Sequence, residues 1–150
     1  MTVRLKCLAP RPMASLRLLC IPFAGGGTVT FRRWAALLPP HIEAFAVQLP
    51  GREDRLREPA LDDWQSMMDA LIEAVAPLPF LPTAIFGHSL GAVIALELGR
   101  RMHARQPGRL RQVFASGGLG RDAARANTAV WVLCRTRNCC KHSTSGTAAF

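Results

Sequence analysis

Between residues 16 and 117 the chain alternates short apolar runs with segments of helical period. Leu16-Arg17-Leu18-Leu19-Cys20-Ile21-Pro22 is mostly apolar, as expected of a strand covered on both faces. Phe31, Trp34, Leu37 and Leu38 then share one helical face, with Thr30 as the expected N-cap and Pro39-Pro40 as the stop. Ala44 to Leu49 reads as a second strand ending at the Pro50-Gly51 turn. Leu61, Trp64, Met68, Leu71, Ile72 and Val75 form the buried face of a helix that Asp62 should cap, with Gln65 as capping-box partner. Thr83 to Phe86 predicts a third strand, Leu90 to about His103 a helix apolar nearly all round in its first turns, and Arg111 to Gly117 a fourth strand. Strand and helix alternating at these lengths predict an α/β fold: a doubly wound, mostly parallel sheet. Residues 1–15 hold Pro10 and Pro12 and are expected to be a loosely held lead-in.

Composition changes this picture little until charge is divided along the chain. The 150 residues are 49% hydrophobic and 19% charged, ordinary for a globular domain. The formal charge is +9, which suggests a nucleic-acid partner. Residues 1–96 carry nine Lys/Arg against eight Asp/Glu, leaving +1, and residues 97–150 carry ten against two, leaving +8. The excess belongs to the C-terminal third, where no aromatic interleaving or nucleic-acid motif accompanies it, so no nucleic-acid partner is expected, a binder acting through its basic tail being the alternative. The five cysteines are Cys7, Cys20, Cys134, Cys139 and Cys140; their number is odd and no metal-ligand spacing is complete, so no metal or other cofactor is expected. Free cysteines, no apolar run near 20 residues, and an N-terminus interrupted by Arg4, Lys6, Arg11 and Arg17 point to a cytoplasmic protein without a membrane partner.

The chemistry concentrates at Phe86-Gly87-His88-Ser89-Leu90-Gly91. This is a Gly-x-Ser-x-Gly nucleophile elbow with a strand before it and a helix after it. A nucleophilic hydroxyl must stand clear of the sheet on a tight turn, so its neighbours must be small, and Gly87 and Gly91 are. Ser89 is thus the candidate nucleophile, and the Leu90 amide, at a helix start, a candidate oxyanion donor. The alternative is a structural serine flanked by chance glycines.

Gly25-Gly26-Gly27 also sits between a strand and a helix and calls for close backbone approach. A dinucleotide loop needs Gly-x-Gly-x-x-Gly, but its last place holds Thr30, and Gln48 stands where the following acid belongs. An oxyanion loop remains, with a plain flexible turn as its alternative. Arg52 to Arg57 is a dense mixed-charge run, most of whose residues read as a solvated surface loop.

Taken together, Leu18 to Gly27, Trp34, Val47-Gln48-Leu49-Pro50-Gly51-Arg52-Glu53 and the Phe86 to Gly91 elbow closely resemble the type II thioesterases, α/β-hydrolases associated with polyketide and nonribosomal peptide synthetases. The resemblance covers about residues 16–118. It implies hydrolysis of acyl thioesters from the phosphopantetheine arm of an acyl or peptidyl carrier protein, through a Ser-Asp-His triad under a helical lid. By position it makes Ser89 the nucleophile and the amides of Leu90 and Ala24 (or Phe23) the oxyanion donors. His88, next to the nucleophile on the turn, does not fit the triad base.

The chain departs from the family after residue 118. In α/β-hydrolases the triad acid and histidine follow the serine. Here the acids that follow are Glu97 and Asp122 and the histidines His103 and His142, and none is identified as a triad member. Residues 119–150 form an atypical basic, cysteine-containing tail, expected to reflect a shifted or truncated reading frame or a disordered extension, with a divergent natural tail as the alternative. The expected fold is therefore a truncated α/β-hydrolase with an exposed sheet edge and impaired turnover. Competing readings are a serine hydrolase of oxygen esters and a non-catalytic fragment that binds carrier proteins.

Overall fold

The computed structural model describes residues 2–117. Five strands form one mixed sheet in the order β1-β3-β2-β4-β5: β1 Arg4–Cys7, β2 Leu16–Ile21, β3 Ile42–Gln48, β4 Thr83–His88 and β5 Leu110–Ser116. β2, β3, β4 and β5 pair in parallel, while β1 runs antiparallel to β3. Three helices accompany them: α1 Trp34–Leu37, α2 Trp64–Val75 and α3 Leu90–Arg105.

Side-chain alternation divides the core in two. Leu19, Ile21, Val47, Ile85 and Val113 point to the face covered by α2 and α3. Leu18, Cys20, Ala44, Ala46, Ala84 and Phe86 point to the opposite face, where Phe31 and Trp34 cover them. Because consecutive positions on β2 and β4 serve opposite faces, both strands are mostly apolar, with Arg17 and Thr83 at their starts and His88 at the end of β4. Burial pushes the Cys20 thiol up to about 12, so it acts as a small core hydrophobe. From β2 the chain steps to β3 on one side, then crosses to β4 on the other, and this reversal opens a crevice at the carboxyl ends of β2 and β4.

Several sequence expectations require correction. The lead-in is not loosely held: Arg4–Cys7 pairs with β3 and Val3 is buried. Its alternation spans four residues and its charged positions face solvent, as suits an edge. The helix expected from Thr30 is split into a 3-10 turn, Thr28–Phe31, capped at Gly27, and the four-residue α1. T-shaped packing of Phe31 on Trp34 (5.2 Å) and on Phe86 (6.1 Å) fixes this break. Asp63, not Asp62, caps α2 by accepting the Ser66 N–H at 2.6 Å, and Gln65 turns instead to Asp69 and Arg101. In the Arg52–Arg57 loop Asp54, Leu56 and Arg57 are exposed, as expected of a solvated run, but Arg55 is not: it is 2% exposed and donates to the Gln48 and Thr2 carbonyls. Among the described residues β5 ends the sheet. The tail readings, with Asp122, Cys134, Cys139, Cys140 and His142, fall outside the described residues.

Candidate active site

The register pairs Ile21 of β2 with Gly87 of β4, so the glycine-rich loop and the elbow leave the sheet side by side at the crevice. Ser89 stands between β4 and α3 with φ 55° and ψ −118°, a conformation that L-residues adopt only when their surroundings impose it. Those surroundings are backbone. The Ser89 N–H donates to the Ser116 carbonyl at 2.8 Å, and the Ser89 carbonyl accepts from the Ala92 N–H at 2.9 Å. A Cβ on Gly87 would lie 1.9 Å from the Gly91 oxygen, and one on Gly91 would lie 2.5 Å from the Ile21 and Pro22 oxygens. The turn closes only with glycine at both places. Ser89 and Leu90 are exposed at its tip, and the Leu90 amide belongs to the first turn of α3, whose N–H groups have no acceptor within the helix.

His88 precedes the serine and is held to one side. Its Nδ1 lies 3.2 Å from the Ser116 hydroxyl, its ring meets Phe23 edge-on, and Gly117, at φ 66°, leaves room for it. Phe23, Ala24 and Gly25 are exposed across the crevice. The Gly26 N–H donates to the Phe23 carbonyl at 2.9 Å and Gly25 has φ 79°, the positive value that the third place of a type II turn requires. Ala24 lies at the second place of that turn.

The approach that the glycines predict is made by a carboxylate of the same chain. A Cβ on Gly27 would fall 2.4 Å from Glu53 Cδ. Glu53 accepts from the Thr28 hydroxyl (2.7 Å), the Val29 N–H (2.8 Å) and the Gln48 amide (3.3 Å). Partial burial raises its pKa, but the Val29 and Thr28 bonds outweigh this and hold the carboxyl below its ordinary value. Gln48, Thr28 and Glu53 meet at the glycine-rich loop and Ser116 contacts His88 and Ser89, and none of these contacts was readable from spacing. The available signal was an acid two residues after the Pro50-Gly51 turn at the end of the neighbouring strand.

Of the other titratable candidates, Glu97 lies two turns into α3 and accepts from Arg100 and Arg101, which hold its carboxyl at about 2. His103 is exposed near the far end of α3. The structure brings neither to Ser89. Among the described residues no group of three or more His, Cys, Asp or Glu could hold a metal ion, and no helix is long and apolar enough to cross a membrane.

The comparisons with known proteins agree with this layout. A thioesterase domain model matches residues 16–129, past residue 118 where the motifs end. The Gramicidin S biosynthesis protein GrsT of Aneurinibacillus migulanus is 41% identical over 104 residues, 69% of this chain and 41% of that protein. The medium-chain S-acyl fatty acid synthase thioesterase of Rattus norvegicus is 36% identical, over 75% of this chain and 43% of that protein. The structure of the type II thioesterase BorB from the borrelidin biosynthetic cluster is 35% identical with a TM-score of 0.70, covering 75% of this chain and 46% of that one. The chain thus spans less than half the length of these relatives. The domain match over residues 16–129 shows that this chain belongs to the thioesterase family, and it has the α/β-hydrolase fold of its structural neighbours.

Proposed function

We propose that the chain carries the nucleophile and the oxyanion donors of a thioester-hydrolysing site. The observation that bears most weight is the backbone of Ser89: a non-glycine residue held at φ 55° at the amino end of α3, its side chain exposed at the crevice. Structural serines have no need of such a conformation, whereas a nucleophile that must project from a sheet does. In this reading Ser89 Oγ attacks the carbonyl carbon of an acyl thioester. The amides of Leu90 and Ala24 receive the negative charge that forms on the carbonyl oxygen. As the intermediate collapses the C–S bond breaks and the thiol leaves with a proton. Water then cleaves the acyl-serine ester, releasing the acid and restoring the hydroxyl. The natural thiol is the phosphopantetheine arm of an acyl or peptidyl carrier protein, a reading supported by relatives named for gramicidin and borrelidin biosynthesis.

The hydroxyl still needs a base. Among the described residues after Ser89 the one carboxylate is Glu97, engaged by two arginines, and the one histidine is His103, at the far end of the helix. We therefore infer impaired turnover: oxyanion stabilisation and binding alone amount to roughly 10³–10⁴ over water in serine hydrolases that have lost their triad. The test pairs mass spectrometry after a fluorophosphonate probe with hydrolysis of an acyl-pantetheine thioester. Labelling at Ser89, abolished by Ser89→Ala, with thioester turnover far below an ordinary enzyme is the expected result. No labelling would remove the nucleophile assignment. Rapid Ser89-dependent turnover would remove the impairment.

A further inference from the structure

We propose that Glu53 is a positioning residue: its carboxylate clamps the glycine-rich loop of residues 23–29 to the end of β3 and so sets where the Ala24 amide stands relative to Ser89. The proposal rests on the roles given above to Ala24 and Ser89, and three observations carry it.

First, Glu53 sits at φ 52°, in the left-handed region. A residue with a Cβ is unfavourable there and is kept only where other contacts dictate it. The contacts are those of its own carboxylate, which spans two segments, accepting from Thr28 and Val29 on the loop and from Gln48 at the end of β3. Second, the loop is shaped to receive it. Gly27 is the N-cap of the 3-10 turn Thr28–Phe31 and has no side chain to satisfy the turn's first amides. Glu53 does so from outside the turn, taking the Val29 N–H that an N-cap side chain would ordinarily take, and the space a Gly27 Cβ would fill is occupied by the Glu53 carboxyl. Gly27 itself has an extended φ of −144°, so what it lacks is room, not freedom. Third, the base of the clamp is fixed. The Gly51 N–H donates to the Arg55 carbonyl, and the buried Arg55 guanidinium ties this segment to the Gln48 and Thr2 carbonyls and to the Glu58 carboxylate. A fixed base and a charge-assisted grip transmit position. A mobile base would not.

Hydrogen–deuterium exchange and Ser89 labelling kinetics test the clamp in Glu53→Ala and Glu53→Gln. The Gly26, Val29, Thr30 and Arg32 amides are hydrogen-bonded and report on the loop. In Glu53→Ala, exchange over residues 24–32 should rise about tenfold, the scale of one lost charge-assisted bond, while α2 and β4 keep their protection. The second-order rate of fluorophosphonate labelling at Ser89 should fall by about the same factor. Glu53→Gln keeps an acceptor for Val29 but faces the Gln48 amide with an amide of its own, so both effects should be smaller; this graded rescue separates positioning from general destabilisation. Unchanged loop exchange in both variants overturns the clamp. So does a loosened loop with an undiminished labelling rate. If the unsubstituted chain is not labelled at Ser89, the nucleophile reading fails and the exchange result alone decides whether Glu53 holds the loop.

Discussion

The elbow at residues 87–91 and the loop at residues 23–29 leave neighbouring strands at one end of the sheet, yet different forces hold them. The elbow is fixed by backbone against backbone: Gly87 against the Gly91 carbonyl, Gly91 against the carbonyls of Ile21 and Pro22, and the Ser89 N–H on Ser116. The loop is fixed by one carboxylate that arrives from 24 residues away in sequence. The first device is short, local and dominated by repulsion, which rises steeply within tenths of an ångström. The second is long-range, polar and adjustable. In the proposed site, a turn that holds a hydroxyl in a strained conformation needs the first, and a loop that places an amide opposite it is served by the second.

The largest effect should therefore follow a methyl group added to the elbow. In Gly87→Ala the new Cβ meets backbone at 1.9 Å, and no rotamer relieves it. Relief requires moving the first turn of α3 away from β4, and with it the packing of Ala92 and Ala95, both fully buried. The expected cost is about 4 kcal/mol or more, a large part of a domain's stability of about 5–15 kcal/mol, read as loss of the cooperative transition in urea or on heating. A mild effect would show that the turn tolerates displacement, and the contrast between the two devices would collapse.

The same contrast explains what could be read from the sequence. The elbow was legible because its determinants are consecutive: an apolar strand, two glycines around Ser89, and an apolar helix. The central parallel strands were legible because a strand buried on both faces is a near-continuous apolar run, as Leu18 to Ile21 and Ala84 to Phe86 are. The glycine-rich loop could be recognised as an approach site, but not what approaches it, because the Glu53 contact forms only when β2 and β3 pair. Arg55 departs from the rest of its run for a related reason. A mixed-charge run ordinarily favours water, and only the tertiary fold supplies the Gln48 and Thr2 carbonyls and Glu58 that make burial of a guanidinium tolerable. β1 was missed because four alternating residues on an edge bury too little to stand out. Asp62 and Asp63 both satisfy the cap rule, and one residue of phase decided between them.

A smaller effect is expected where the loop meets its clamp. In Gly27→Ala the Cβ would strike Glu53 Cδ at 2.4 Å, but a side chain can swing away at the cost of its hydrogen bonds. About 2 kcal/mol is expected, the scale of charge-assisted bonds lost from a partly buried group. A double-mutant cycle identifies the source. In a Glu53→Ala background the space is already empty, so Gly27→Ala should cost less by about 1 kcal/mol or more, whereas distant changes would add independently. Additivity would mean that Gly27 is needed for something other than the carboxylate.

The smallest effect separates two kinds of glycine within the loop. Gly25 has φ 79° and nothing within 4 Å of the place its Cβ would occupy, the reverse of Gly27, whose φ is ordinary and whose space is filled. Gly25→Ala should therefore cost only the conformational penalty of the left-handed region, about 1 kcal/mol, or roughly 4 °C in the thermal midpoint of a domain this size. Because that penalty arises within the residue's own backbone, it should be unchanged by Glu53→Ala, so the two substitutions should add in a thermal or urea series. A Gly25→Ala cost above that of Gly27→Ala would reverse the account. The loop would then be ordered chiefly by the turn at Phe23–Gly26, and the carboxylate would follow the loop rather than hold it.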